Sequence, residues 1–140
     1  MCYFKTYCTL PEDAKLIREL VFMKEQGFTE EFDDTDTIAK HIVFYNDKDQ
    51  SMATCRYFPD KENPIYFIGR IAVLKEFRKK NYGEMMLQEA ERQIKENNAS
   101  EIRLAAQVRA KGFYEKSGFS VMGNEFFEED CPHIWMYKKI

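Results

Sequence analysis

Apolar and polar positions change period several times along this chain, and each change marks an element. Residues Cys2 to Cys8, "CYFKTYC", alternate and are β-prone, which predicts a strand. "TLPEDAKLIRELVFMKEQG" then carries helix-start signals in order: Thr9 as a cap, Pro11 in the first turn, and Glu12 closing an S/T-x-x-E capping box. Ala14, Ile17, Leu20 and Val21 recur at helical spacing, and Gly27 is a natural stop. "FTEEFDDTDTIAK" has no such period and reads as a loop with room for one helical turn. "HIVFYN" and "MATCRYF" flank the polar turn "DKDQS" and predict an antiparallel pair. After the turn "PDKENP", "IYFIGRIAVL" is apolar except at Gly69 and Arg70, as expected of a strand at the centre of a sheet.

Beyond Gly83, Met86, Ala90 and Ile94 recur at i, i+4 and i+8 with Leu87 beside them, so one stripe of a helix is buried. "EIRLAAQ" returns to strand character, which implies a parallel βαβ crossover between Ile65 and Gln107. "RAKGFYEKSGF" predicts a short helix with Ala110, Phe113 and Tyr114 on one face and Gly118 as its stop. "SVMGNEFFEED" and "HIWMYKK" predict two closing strands. The order β α β β β α β α β β is that of an α/β (α+β) fold, a mixed sheet with helices on its faces.

Composition narrows the function. A length of 140 residues suits one domain, 1–140, and 44% hydrophobic with 32% charged residues is ordinary for a folded protein. The net charge of −3 supplies no field for nucleic acid. The N-terminus lacks the pattern of a leader, and no apolar run approaches the ~18 residues of a membrane span, so a cytoplasmic protein is expected. Cys2, Cys8, Cys55 and Cys131 have no metal-ligand spacing, and His41 and His133 are the only histidines, so reduced thiols and no metal are expected. Cys131 and His133 stand two apart, as a nucleophile and base would on one strand face, but Pro132 between them is expected to break the strand.

Arg78, Lys79 and Lys80 precede a helix start, where the peptide dipoles already leave positive charge. A bound anion explains them: consecutive backbone N–H groups opening a helix form a concave site suited to a pyrophosphate. The loop "RKKNYG", followed two elements later by "FYEKSGF", resembles the GNAT superfamily of acetyl-CoA-dependent N-acetyltransferases. "VFMKEQGF", "ATCRYF", "GRIAVLKEFRKKNYG", "LAAQ" and "PHIWMYK" are similar to its small ElaA-like branch.

The resemblance covers nearly the whole chain and implies a GNAT fold with a central, mostly antiparallel mixed sheet. It implies acetyl-CoA as cosubstrate and a primary amine of a small molecule or peptide as acceptor. The family's Q/R-x-x-G-x-G/A signature falls on Arg78, Lys79, Lys80, Asn81, Tyr82 and Gly83, with Glu84 following in the helix. Asn81 replaces the first glycine, and asparagine is the side chain that best tolerates positive φ. The resemblance further implies that Ile71, Ala72 and Val73 offer main-chain groups to the pantetheine arm and thioester, that Phe113 and Gln107 contact the cofactor, and that Tyr114 is the general acid. From helix spacing alone Tyr114 equally suits a core tyrosine.

Glu25, Glu31, His41, Glu128 and His133 remain open as the general base. Arg56 and Arg70, inside apolar strands, need partners: either the acids between Glu30 and Asp36, or a substrate carboxylate. The acidic loop is otherwise expected to be a solvated face. A CoA-binding sensor without catalysis is the alternative function, and a homodimer stays open.

Overall fold

Hydrogen bonding in the computed structural model, which describes residues 1–140, joins seven strands into one sheet. In chain order the elements are β1 (Tyr3–Tyr7), α1 (Glu12–Arg18), β2 (Lys40–Tyr45), β3 (Ser51–Pro59), β4 (Ile65–Val73), α2 (Tyr82–Lys95), β5 (Glu101–Gln107), α3 (Lys111–Lys116), β6 (Ser120–Glu128) and β7 (Cys131–Lys139). The strands lie in the order β1-β2-β3-β4-β5-β7-β6, and only the β4–β5 pair is parallel. β4 is thus central, as its apolar run predicts.

The two long helices cover opposite faces. Ala14 of α1 packs with Val43 and Tyr45, and Ile17, Val21 and Phe22 pack on Ala72. The fully buried stripe Met86, Leu87, Ala90 and Ile94 of α2 packs with Ile42, Phe44, Cys55 and Tyr57, and the same cluster takes in Ile102, Leu104 and Ala106 of β5. Period-2 alternation along β2 therefore sends successive side chains to different helices.

Three local expectations are corrected. Thr9 does not cap α1: the helix begins at Glu12, and Pro11 is the cap, with φ −80° and ψ 156°. With Pro11 as the cap, Glu12 is the first helical residue and the third is Ala14, so the cap has no N–H and the third position no carboxylate, and a capping box cannot form. The helix continues to Glu25, but from Glu19 it is π-helical, with Gln26 N–H donating to Val21 O at 3.1 Å before Gly27 stops it at φ +82°. Pro132 does not interrupt β7; it pairs with Phe127 of β6 beyond the last residue that β5 bonds, His133, so its missing N–H costs no bond to β5.

The wedge that positions the site is a matter of register. β4 and β5 pair only at Ile65–Phe67 with Glu101–Arg103, and β5 beyond that continues on β7 alone. On its other side β4 carries one extra residue, because Arg56 pairs with Gly69 while Thr54 pairs with Ala72. The bulge is marked by Arg70 at φ +54°, a left-handed conformation that a non-glycine residue holds only when surrounding contacts fix it.

Candidate active site

Those contacts come from the acidic segment, which is not the solvated face that its composition suggests. Its chain folds into a 3-10 turn at Asp34–Thr37, and Glu31 and Asp36 are buried. Arg18, 1% exposed, donates to Glu31 Oε2 at 2.8 Å and to Asp36 Oδ1 at 2.7 Å. Arg56 donates to Asp33 at 2.6 Å and Asp36 at 2.9 Å, and Arg70 pairs with Glu31 at 3.0 Å and Asp33 at 3.4 Å. Three guanidinium groups and three carboxylates thus neutralise one another beneath the bulge. Of the two accounts of Arg56 and Arg70, pairing with the acidic segment holds. Arg18 joins them unforeseen, because on a helix "LIRELV" reads as an exposed charge beside an apolar stripe.

The pairings move the acids in different directions. Burial pushes the Asp36 carboxyl up, but hydrogen bonds and charge from Arg18 and then Arg56 outweigh it and hold the group at about 2. Asp33 is also lowered, with Arg56 and Arg70 overcoming burial. For Glu31 burial wins over Arg70 and Arg18, and its carboxyl is raised. His41 is buried behind this network with Nε2 donating to the Asp36 carbonyl at 3.0 Å, and burial lowers its pKa, so it is a neutral structural histidine.

The wedge opens into a cavity of about 630 Å³. Ile71, Gln107 and Tyr114 line it together with Glu128, His133 and the half-exposed Trp135. A second, smaller recess of about 360 Å³ is lined by Val73, Arg78, Lys79, Asn81, Tyr82, Gly83, Glu84 and Phe113. The two share β4 and α3 as walls. Lys80 lies outside the lining of both, and the Ala72 side chain turns away onto α1. Lys116 and Ser117 complete the recess; both stand in "FYEKSGF", and the signal was their place two and three residues after Tyr114.

Asn81 sits at φ +64° and ψ 18° immediately before α2, the left-handed turn that a glycine would otherwise supply, and Lys79 is left-handed too at φ +67°. At Gly83 an added Cβ would stand 3.4 Å from the Phe113 ring, so the absence of a side chain lets α3 close on the start of α2. Arg78 does not point freely outward: it forms a bidentate pair with Glu25 at 2.5 and 2.6 Å and donates to the Val73 carbonyl at 2.9 Å. Gln107 is likewise engaged, donating to Gln26 and accepting from Arg109, each at 2.8 Å.

Tyr114 lies between Phe113 and Phe119, with ring centroids 5.0 and 6.1 Å away, and no side-chain hydrogen bond uses its hydroxyl. Burial, then the neighbouring Cys55, pushes its pKa up, which keeps it a phenol. His133 Nδ1 lies 2.9 Å from the Cys131 carbonyl, an acceptor only, so Nδ1 donates there, and Nε2 stands 3.6 Å from Glu128. The imidazole thus addresses the Cys131 backbone rather than its thiol, and no thiol–imidazole pair exists. Of the open base candidates, Glu25 and Glu31 are held by arginines and His41 is buried elsewhere; Glu128 and His133 line the cavity. No cluster of three potential metal ligands occurs, and no helix is long and apolar enough to cross a membrane.

The sequence model of the acetyltransferase (GNAT) domain family matches residues 12–140. The uncharacterized N-acetyltransferase YjcF of Bacillus subtilis (strain 168) is 33% identical over 130 residues, covering 91% of this chain and 91% of that one. Escherichia coli ElaA superposes with a TM-score of 0.87 at 21% identity over 99% of each chain. An aminoglycoside 6'-N-acetyltransferase complexed with coenzyme A superposes with a TM-score of 0.74 at 15% identity, over 98% of this chain and 96% of that one.

Proposed function

Because the chain belongs to the acetyltransferase (GNAT) domain family, we propose that it moves the acetyl group of acetyl-CoA to a primary amine by direct attack on the thioester. The observation that carries this is the placement of Tyr114 in the same cavity as Ile71 of the bulged strand and His133, next to the recess at the start of α2. The recess suits a pyrophosphate: Lys79, Asn81, Tyr82 and Gly83 line it at the start of α2, where unpaired N–H groups and the helix dipole favour an anion, and Lys79 and Lys116 add positive charge. The pantetheine arm then runs along β4 from Val73 toward Ile71, into the wedge where β5 no longer pairs with β4.

The chemistry needs a neutral amine, a donor for the oxyanion and a partner for the departing sulfur. His133 Nε2 accepts the ammonium proton, with Glu128 beside it stabilising the imidazolium that results. The amine nitrogen then attacks the carbonyl carbon, forming the C–N bond, while main-chain N–H groups of Ile71 or Ala72 receive the oxyanion. Collapse breaks the C–S bond: the Tyr114 hydroxyl donates its proton to the departing thiolate, and the proton that the new amide nitrogen sheds returns through solvent to the Tyr114 phenolate. A phenol held protonated by burial serves this role at any neutral pH.

Acetyl-CoA-dependent release of free thiol across a panel of amines tests the transfer. Tyr114→Phe is expected to bind acetyl-CoA with unchanged affinity and to lose about 100-fold in turnover. Unchanged turnover would remove the general-acid role, and absence of turnover with every amine, with acetyl-CoA still bound, would favour a sensor.

A further inference from the structure

We propose that the acceptor side of the cavity takes an arylalkylamine: a primary amine on a short chain that carries a flat aromatic body and no carboxylate. This specifies the amine in the acetyl-transfer reading above and rests on it.

The first observation is a continuous run of rings. Phe58 and Phe67 stack at 5.3 Å, Phe67 meets Trp135 at 6.0 Å, and Trp135 stacks on Phe126 at 6.2 Å. Phe126 stacks on His133 at 5.8 Å, and His133 meets Phe28 at 6.4 Å. Phe67 on β4 reaches Trp135 on β7 across β5 because β5 places Ala105 opposite Trp135. Phe28, Phe58, Phe67 and Trp135 all line the cavity, and Trp135 remains 39% exposed. These four rings therefore face open space, where an apolar planar group would cover them and an aliphatic chain would cover less of them.

The second observation is charge. Arg56 and Arg70 line the cavity but are already matched by Glu31, Asp33 and Asp36, and the one unpartnered donor of Arg56, its Nε, is fully buried and out of a ligand's reach. Outside that network three carboxylates line the cavity, Glu30, Glu128 and Glu129, against one guanidinium, Arg109. An ammonium entering toward His133 is attracted, and a carboxylate on the same molecule is repelled. Rings for the body and acids for the amine together select an arylalkylamine over an aromatic amino acid.

Trp135 is the only tryptophan, so intrinsic fluorescence reads this wall directly and independently of turnover. Phenethylamine titrated into the protein is expected to change Trp135 emission saturably, with hexylamine and phenylalanine each binding about tenfold more weakly. Phe67→Ala should weaken phenethylamine about tenfold while leaving acetyl-CoA affinity unchanged. Trp135→Leu, at a half-exposed position, should shrink the preference for phenethylamine over hexylamine in kcat/KM by a similar factor. Hexylamine, spermidine or phenylalanine binding as tightly as phenethylamine would overturn the inference. Ranked binding as expected, with no thiol release from any amine, would support the ligand class and sink the transfer.

Discussion

Replacing Arg18 with methionine removes one of three cations from a network that is electrically balanced, and leaves Arg56 and Arg70 to face Glu31, Asp33 and Asp36. Arg18 is 1% exposed and makes four hydrogen bonds, at 2.8 Å to Glu31 Oε2, 2.7 and 3.1 Å to Asp36, and 3.2 Å to the Glu31 carbonyl. Losing one partner of a buried pair costs about 3–5 kcal/mol, because a desolvated charge is left behind. Here the lower figure applies, since Asp36 keeps Arg56 at 2.9 Å and Glu31 keeps Arg70 at 3.0 Å. At ~2.1 cal/mol/K per residue of unfolding entropy, about 3 kcal/mol lowers Tm by about 10 °C. Urea unfolding should show the loss as a shifted midpoint at unchanged slope. Adding Glu31→Gln removes the excess negative charge and should recover at least about 1 kcal/mol, a coupling that a double-mutant cycle measures. A loss below about 1 kcal/mol for Arg18→Met, or strict additivity of the two changes, would refute the balanced-network account.

Acidification provides a second test of the same network. Asp36 is held at about 2, below its unfolded value of ~3.9, so its contribution is present above pH ~4 and is lost as pH falls from there through about 2. Glu31, raised by burial, acts oppositely, its contribution fading as pH rises through its folded value; unfolding followed by far-UV circular dichroism should therefore show the acid-side loss concentrated below pH ~4, and a flat profile there would contradict the assignment. At Arg70 the usual order of substitutions should reverse. Its φ of +54° strains alanine but not glycine, so Arg70→Gly is expected to be about 1 kcal/mol more stable than Arg70→Ala in urea melts, and equal stabilities would argue against the strained bulge. Gly83→Val crowds the Phe113 ring, 3.4 Å from where a Cβ would stand, and should weaken acetyl-CoA binding at least about tenfold by calorimetry; unaltered affinity would detach the α2–α3 contact from the recess.

Much of the molecule was legible along the chain because the signals are local. The apolar run of β4, the stripe Met86, Leu87, Ala90 and Ile94, and the order of ten elements follow from side-chain period, and each stands where that period puts it. Asn81 is legible in the same way, since the demand for positive φ before α2 and the tolerance of asparagine for it are both backbone properties. The start of α1 was misread for a local reason too: a proline cap removes the N–H on which a capping box depends.

Sequence by itself determined the strands, the helices, the crossover and the left-handed turn before α2, because hydrophobic period and backbone preference act over a few residues. Tertiary structure alone decided which charges meet. Arg18, Arg56 and Arg70 are separated from their acids by 13 to 39 residues, and only folding brings a helix, two strands and a 3-10 turn within hydrogen-bonding distance. It also set the wedge, because one extra residue in β4 and three residues of parallel pairing with β5 are matters of register between strands, which no single strand encodes. The ring wall is decided at the same level: Phe67 and Trp135 face one cavity because Ala105, on the strand between them, is small.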